Sequence, residues 1–394
     1  METVPAEEIR GRIEKFQKKI KEKGTDAAIV AQNVDLYYFT GSCQRGYLIV
    51  PAQGEPLYLV SKSYERALKE SPLSNIRHLQ SSRALPQILK ETVPGFKKIG
   101  LELDVLPAFL YLRFQEMFSP AEIVDISTEI KDLRLIKSPY EIEIIRQGAE
   151  ISRQMFAAVP RFLKEGKKEI EFAAEVECFM RKRGHQGAIH VRQFNQEVFY
   201  GHIMSGENLT RPSFFDSPTG GPGLSPAFPQ GPGWKVISRD EVVIVDYVTA
   251  YLGYCVDCTR FYSLGDIPSL LQEAHQVALV IQEEIIKTAK PGAICSDIYK
   301  QACQMAEKLG FKDYFMGHGA DQAKFIGHGV GLELDEMPVL ANRQNYPLQA
   351  GMVFALEPKM VIPGVGVAGV ENTILVTEQG LEKITVIPEE IIPV

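Results

Sequence analysis

The chain contains 394 residues, of which 45% are hydrophobic and 24% are charged, and its formal net charge is -7. This composition is typical of a soluble globular protein with room for two domains. The acidic balance argues against nucleic acid or an anionic membrane as the main partner, and no apolar run is long enough to span a bilayer. The first residues lack the apolar core of a signal peptide, and six scattered cysteines suit a reducing compartment. We therefore expect a cytoplasmic protein.

The first part of the chain alternates helix and strand signals. Ile9, Ile13, Phe16 and Ile20 recur at the spacing of one helix face, and Gly24 is placed to end that helix. Further apolar runs predict strands 27–31, 46–50, 57–60, 99–102 and 123–124, and a helix over 106–118. The pattern predicts an α/β domain over residues 1–132, in which no residue pattern points to chemistry.

A second domain is predicted over residues 133–394. Near its start, Ser138-Pro139-Tyr140-Glu141 has the form of a capping box with proline at the first helical position. A helix is predicted from there, and a second helix over 168–183. The remaining elements predicted for this domain are helices 268–289 and 296–309 and strands 352–356 and 374–377.

Residues 201–233 form a stretch that is rich in glycine, proline and serine. One interpretation is a disordered surface loop. The other, which we favour, is an ordered lid over a functional site, because loops this long in compact domains often carry function. Phe214, Phe215, Phe228 and Trp234 give this stretch apolar anchors that a mere linker would lack.

Candidate substrate contacts lie around the start of this stretch. His190, Tyr200 and His202 have side chains that can bind a polar group of a substrate. A lone histidine is more often structural than catalytic, so this interpretation competes with simple packing. Tyr200 and His202 are the two that we expect to contact substrate.

Residues 241–263 are predicted to form a β-hairpin with one aspartate in each strand. Both halves are apolar and β-branched, and residues 251–253 can turn the chain. Folding the run about its middle places Asp246 opposite Asp257, where facing side chains lie about 5 Å apart. Two carboxylates that close inside an apolar sheet repel each other and lose hydration. The pair therefore predicts a bound cation.

Three further candidate ligands follow in short motifs: His328 in a Gly-His-Gly-Val-Gly run, Glu357 before a proline and Glu371 before an asparagine. Together with the aspartate pair they make four carboxylates and one imidazole. This is the set of ligands that a pair of divalent cations needs.

With these motifs the chain resembles the pita-bread metallopeptidases, which include prolidase, aminopeptidase P, methionine aminopeptidase and the non-peptidase creatinase. The ligand spacing is similar to that of prolidase, with 11 residues between the aspartates, then 29 from the histidine to the first glutamate and 14 between the glutamates. His318 also lies in a Gly-His-Gly run, but its spacing to Glu357 does not match. The resemblance implies an α/β two-domain fold, with a creatinase-type N-terminal domain and a C-terminal pita-bread catalytic domain.

The resemblance also implies roles for the five ligands. Asp246 would hold one metal ion, His328 and Glu357 the other, and Asp257 and Glu371 would bridge the two. Glu357 is then the catalytic residue that moves the proton of the attacking water. Two divalent ions of manganese, cobalt, zinc or iron are the expected cofactors, because oxygen-rich sites with one histidine accept any of them. The family further implies a homodimer.

Several histidines that surround the metals in prolidase-like enzymes are replaced in this chain. Asp335 stands seven residues after the ligand histidine and Lys324 four before it, while Gln230 aligns with the histidine of a Pro-His-Gly motif. Gly369 stands where an arginine is often found. Because those histidines bind the scissile carbonyl and the tetrahedral intermediate, we expect Gln230 and Lys324 to be substrate contacts instead and proline-peptide hydrolysis to be weak.

Three functional hypotheses remain. The favoured one is dinuclear metal-dependent hydrolysis of C–N bonds in short peptides or peptide-like amides. The second is a metal-dependent lyase, or another non-peptidase enzyme on a small molecule, in which Asp335 is the catalytic base. The third is a non-catalytic peptide-binding module, which the full set of ligands argues against.

Overall fold

A computed structural model describes residues 3–394 and divides the chain into two compact units between Arg134 and Leu135. Both units mix helices and strands, which confirms the predicted α/β two-domain fold. Among the helices of residues 3–394, none has the length and apolar character needed to cross a membrane.

The first unit is built on one six-stranded sheet. Its elements in chain order are α1 (Ala6–Glu22), β1 (Ala27–Val30), α2 (Asn33–Thr40), β2 (Gly46–Pro51), β3 (Leu57–Val60), α3 (Tyr64–Glu70), β4 (Ile76–His78), α4 (Leu85–Thr92), β5 (Lys98–Leu101), α5 (Ala108–Phe118), β6 (Glu122–Asp125) and α6 (Ser127–Leu135). The strand order is β4-β3-β2-β1-β5-β6, and β1 runs antiparallel to β2 but parallel to β5. Ile29, Ile49, Leu59 and Leu101 belong to its buried core.

The structure adds elements to this unit that the sequence pattern did not predict. The face of α1 is buried as expected, with Phe16 and Ile20 at 0% exposure. In contrast, α2, α3, α4 and β4 were not predicted. α2 is buried on most of its sides, including Leu36 and even the charged Asp35, so its sequence lacks the one-sided apolar pattern of a surface helix.

The second unit contains the remaining elements. They are α7 (Pro139–Phe162), α8 (Glu169–Arg181), β7 (Ile203–Ser205), β8 (Val242–Tyr251), β9 (Tyr254–Ser263), α9 (Ser269–Thr288), α10 (Cys295–Lys308), β10 (Phe325–Val330), β11 (Leu334–Ala341), β12 (Val353–Leu356), β13 (Lys359–Ile362), β14 (Gly366–Gly369), β15 (Asn372–Val376), β16 (Leu381–Lys383) and β17 (Ile392–Pro393). They form sheets of order β17-β9-β8-β7 and β11-β10-β12-β15-β16, and a separate β13-β14 pair.

Two hydrophobic cores hold this unit together. α7 and α8 pack near β7, β8 and β9 around residues such as Phe156, whereas α9 and α10 pack on the other strands around Ile281 and Phe354. α7 begins at the predicted capping box, in which the Ser138 side chain accepts from the Glu141 N–H and the Glu141 side chain accepts from the Ser138 N–H. Each core thus lies between one pair of helices and the strands against which that pair packs.

The hairpin of β8 and β9 forms as predicted, but its register differs from the prediction. Its two-residue turn, Leu252-Gly253, has positive φ at both positions, 47° and 92°, which glycine favours and which matches the twist of paired strands. This turn pairs Asp246 with Thr259 and Asp257 with Val248. The expectation that the two aspartates lie directly opposite each other is therefore wrong. They lie diagonally on the same face of the hairpin.

Candidate metal centre

Five polar residues meet where the strands of the second unit converge. Asp246 lies on β8, Asp257 on β9 and His328 on β10, while Glu357 directly follows β12 and Glu371 directly precedes β15. All five are buried, with exposures between 1% and 8%. β10 pairs with β12 and β12 with β15, and an isolated bridge joins β9 to Glu371. The structure therefore brings together all of the residues predicted as metal ligands.

His328 faces carboxylates with both of its ring nitrogens. Its Nε2 lies 3.4 Å from Glu357 Oε1, 3.8 Å from Asp257 Oδ2 and 4.0 Å from Glu371 Oε1. Its Nδ1 lies 3.2 Å from Asp335 Oδ1. The hydrogen-bond partner of Nδ1 is the Gly329 carbonyl at 3.5 Å, and the nearby Asp335 charge favours a protonated Nδ1. That leaves Nε2 as the ligand nitrogen, which is the usual arrangement around a metal-binding histidine.

The space in front of His328 Nε2, which we call the histidine position, fits a divalent ion. Asp257, His328 and Glu371 each offer a ligand atom there, and these atoms lie within 4.8 Å of one another. Asp257 Oδ1 is buried and has no hydrogen-bond partner among residues 3–394. An unpaired buried carboxylate oxygen is costly, and a cation would satisfy it.

Lys359 is a member of the cluster that sequence reasoning missed. Its Nζ lies 2.9 Å from Glu357 Oε2, 2.9 Å from Glu371 Oε2 and 3.2 Å from Asp246 Oδ2. The side chain is only 1% exposed. We call this place the ammonium position. The available signal was a lysine two residues after Glu357, at the head of an otherwise apolar strand.

The charges of this cluster shift the pKa values of its members in opposite directions. Burial by itself lowers the pKa of Lys359, but the charges of Asp246, Glu357 and Glu371 outweigh it and raise that pKa well above its ordinary value. Burial raises carboxylate pKa values. For Glu357 the charge of Lys359 and a hydrogen bond from His328 outweigh it and hold the pKa at about 2. For Glu371 burial and the neighbouring carboxylates prevail and raise the pKa to about 7.

His328 binds a proton strongly when no metal competes for it. Burial alone lowers its pKa, but the charges of Asp335, Glu357 and Asp257 and a hydrogen bond with Glu357 raise the pKa well above its ordinary value. Metal ligation needs an unprotonated Nε2, which the surrounding carboxylates oppose. We expect metal affinity to fall as the pH is lowered.

Neighbouring residues hold the backbone and side chain of Glu371 in place. Thr259 Oγ1 donates to Glu371 Oε2 at 2.6 Å. The fully buried Arg260 donates to the Glu371 carbonyl at 2.8 Å and to Asn372 Oδ1 at 2.8 Å. These contacts tie β9 to the start of β15, so the carboxylate has little freedom to turn away from the cluster.

A largely apolar cavity of about 380 Å³ opens onto the cluster. Its apolar lining residues include Phe199, Phe215, Phe228 and Phe325. Asp335 also lines it, with its side chain 22% exposed. A small substrate with an apolar side chain would fit beside the carboxylates.

Of the four residues predicted as substrate contacts, three line the cavity and one does not. Tyr200, His202 and Gln230 are buried and line the cavity. Lys324 is exposed and is not part of its wall. His190, the other candidate from the sequence, is also exposed and outside the wall.

Two of these cavity residues have informative hydrogen bonds. His202 Nδ1 lies 2.8 Å from Thr219 Oγ1, and burial lowers the pKa of His202. Gln230 Nε2 donates to the Glu197 carbonyl at 2.6 Å. The buried Gln230 Oε1 has no partner among the described residues. Because this oxygen is buried, a substrate in the cavity cannot reach it without a rearrangement of the wall.

The glycine-rich stretch forms an ordered loop along this cavity, although its anchors differ from those predicted. Phe214 is 51% exposed and Trp234 is 61% exposed, so these two side chains do not anchor the loop. Backbone hydrogen bonds do so instead, including Gly223 N–H to the Gly231 carbonyl and Gly231 N–H to the Gly220 carbonyl. The chain approaches itself closely there, which glycine permits.

His318 lies outside the cluster. It is exposed and stacks on Tyr314, with ring centroids 6.1 Å apart. It does not line the cavity. Of the two histidines that the sequence offered as ligands, His328 is the one that faces the carboxylates.

Comparison with known proteins agrees with this geometry over nearly the whole chain. Residues 143–378 match the model of metallopeptidase family M24, and residues 12–136 match the creatinase/prolidase N-terminal domain. An Xaa-Pro dipeptidase of Pyrococcus furiosus is 30% identical over 386 residues, which cover 98% of this chain and 100% of the relative.

Solved structures show the same similarity. The Xaa-Pro dipeptidase from Bacillus anthracis superposes with a TM-score of 0.84 at 27% identity, covering 98% of this chain and 100% of its own. The prolidase from Pyrococcus horikoshii superposes with a TM-score of 0.81 at 26% identity, covering 97% and 100%. The protein therefore belongs to metallopeptidase family M24 and carries the creatinase/prolidase N-terminal domain.

Proposed function

We propose that the protein is a metal-dependent hydrolase that cleaves C–N bonds in short peptides with apolar side chains. The observation that carries this proposal is the buried cluster of four carboxylates and His328 at an apolar cavity of about 380 Å³. Two of its relatives are named Xaa-Pro dipeptidase, which supports the same reaction class.

The metal ion and the residues around it would have different roles in hydrolysis. A divalent ion bound there supplies Lewis-acid activation of the scissile carbonyl and of water. Glu357 Oε1 faces the histidine position, 3.4 Å from His328 Nε2, where it can accept the proton of the attacking water. Gln230 lies in the wall of the cavity, where its side chain can contact the substrate.

Asp335 positions His328 in this proposal. Its Oδ1 lies 3.2 Å from His328 Nδ1, so its first effect is on the metal ligand. The lyase hypothesis instead makes Asp335 a base for proton abstraction. Its exposure to the cavity is compatible with that role, but the contact with His328 favours positioning.

We propose manganese, cobalt, zinc or iron as the metal, because the site offers several oxygens and one imidazole nitrogen. A homodimer in the cytoplasm remains our expectation for the assembly and the compartment. Lys359 argues against the expected second ion, because its ammonium group lies among three of the five ligands.

A turnover assay tests the proposed reaction. The purified chain would be loaded in turn with each of the four metals and offered apolar dipeptides, proline dipeptides and N-acyl amino acids, with the released amine measured. We expect hydrolysis of apolar dipeptides, and a loss of at least about 100-fold for Glu357→Gln, the usual contribution of a general base.

A matched control is available on the surface. Glu382 is 44% exposed and pairs with Arg146, so Glu382→Gln is expected to keep full activity. A folded, metal-loaded chain that hydrolyses none of these substrates with any of the four metals would reject the proposal. Product formation by elimination instead of hydrolysis would support the lyase hypothesis.

A further inference from the structure

Lys359 lies where a second cation of the centre would need to bind. Its Nζ contacts one oxygen each of Asp246, Glu357 and Glu371 at 3.2, 2.9 and 2.9 Å. The two carboxylate oxygens of each glutamate face different cation positions. Oε2 of each faces Lys359, and Oε1 of each faces His328 Nε2. Both glutamates therefore face two cation positions, although the resemblance assigned the bridging role to Asp257 and Glu371, and one of these positions is filled by an ammonium group.

We propose that the Lys359 ammonium replaces one ion of a two-metal centre, so that the protein binds a single divalent ion at the histidine position. This inference rests on the proposed metal-dependent function. It adds the number of ions and names the residue that sets that number.

Distances exclude a metal ion from the ammonium position while Lys359 is there. Such an ion would need Asp246 and Glu371 as ligands, and one oxygen of each already contacts Nζ, at 3.2 and 2.9 Å. Metal–oxygen bonds are about 2.0–2.2 Å long, so an ion on these oxygens would compete with the ammonium group for the same space. The repulsion of two positive charges at such a distance in a buried site is large.

The charge balance of the centre also agrees with a single divalent ion. Asp246, Asp257, Glu357 and Glu371 carry four negative charges when ionised, and Lys359 neutralises one of them. One divalent ion neutralises two more and leaves a single negative charge. A second divalent ion would make the centre positive and would lie beside the Lys359 ammonium, where like charges repel.

Gly369 lies directly against Lys359, because the two residues are paired across β13 and β14. A Cβ at position 369 would lie 2.6 Å from the Pro358 carbonyl oxygen, 2.7 Å from Lys359 Cα and 2.8 Å from Lys359 Cγ, which is closer than real contacts allow. A larger side chain would therefore crowd the backbone of this pair and the stem of the lysine. The arginine that the resemblance led us to expect at this position would not fit beside the lysine as it stands.

Counting bound ions tests the inference without relying on activity. Wild type, Lys359→Ala and Lys137→Ala would be saturated with Mn²⁺, freed of excess metal, and measured by native mass spectrometry and electron paramagnetic resonance. Lys137 is the matched control, because it is a buried lysine whose Nζ lies 2.7 Å from Glu336, outside the cluster. We expect one ion with an isolated Mn²⁺ spectrum in wild type and in Lys137→Ala. We expect two ions with a spin-coupled spectrum in Lys359→Ala.

Each outcome has a clear consequence. Two coupled ions in wild type would overturn the inference and leave the proposed function intact. One ion in a folded Lys359→Ala chain would also overturn it, because Lys359 would then not be what excludes the second ion. A wild-type chain that binds no ion would overturn both the inference and the proposed function. The wild-type count stands even if Lys359→Ala does not fold.

Discussion

Asp335 shows how one residue can change the chemistry around a metal ligand. Its backbone has a left-handed φ of 62°, a conformation that aspartate tolerates better than most residues. Its carboxylate lies 3.2 Å from His328 Nδ1. A carboxylate in that place holds the ring and raises the basicity of Nε2. It cannot stabilise a developing oxyanion, because both carry negative charge.

Replacing Asp335 by asparagine is expected to weaken metal binding. The usual cost of losing a partner that orients a metal ligand is about 10–100-fold in affinity, and competition with a chromogenic chelator would measure it. Excess metal should then restore turnover. Asp321→Asn, at an exposed position, serves as control. A fall in kcat of about 10²–10⁴-fold that excess metal does not restore would instead identify Asp335 as a base.

Among the elements, the β8–β9 hairpin places both aspartates on one face, and a histidine ties it to the end of α8. His185 follows α8, and its Nδ1 accepts from the Ala250 N–H on β8 at 3.0 Å. Only a neutral ring nitrogen can accept. Burial, and then the charge of Arg181, lower the pKa of His185 from 6.5 to about 4.

Stability is therefore expected to fall as the pH drops from about 6.5 towards 4. In this window the unfolded chain binds a proton at His185 that the folded chain does not bind, so unfolding becomes easier. Between pH 7 and pH 5 the loss should be up to about 2 kcal/mol. Denaturant unfolding of wild type and His185→Gln at both pH values would test it, with the exposed His78→Gln as control. Parallel pH profiles for wild type and His185→Gln would contradict the expectation.

At the scale of the whole molecule, membership of a peptidase family does not by itself decide the substrate. The relatives named Xaa-Pro dipeptidase share about the whole length of the chain. Their similarity in fold says less about the cavity, whose wall here combines several phenylalanines with Gln230 and Asp335. The groups that contact a substrate carbonyl determine which peptide is cleaved.

Activity on Xaa-Pro dipeptides is expected to be at least about 100-fold below that of the Bacillus anthracis Xaa-Pro dipeptidase assayed in parallel. Positions 230, 324 and 335 carry glutamine, lysine and aspartate, and the loss of one preorganised donor costs about 10²–10³-fold in rate. Gln230→His should raise proline-peptide turnover without a matching gain on dipeptides that lack proline. Equal turnover by the two wild-type enzymes would show that other groups have replaced the histidines.

The sequence by itself determined the five candidate ligands, the hairpin that carries two of them, the capping box that opens α7 and the two-domain α/β fold. These features depend on local spacing and on apolar runs, which can be read without knowing which strands are neighbours. The diagonal placement of Asp246 and Asp257 needed one more fact, the position of the turn at Leu252-Gly253.

Only the tertiary structure decided what surrounds those ligands. Lys359 joins the cluster because β13 starts beside Glu357 and pairs with β14 at Gly369, where no side chain obstructs the lysine. Lys324 stays in solvent although it is only four residues from His328. The charge and the number of cations at a buried site depend on groups that are distant in sequence and meet only after the strands pair. Local sequence patterns carry no information about contacts between residues that are distant in sequence. This is the physical reason that Lys359 was not predicted to lie in the centre.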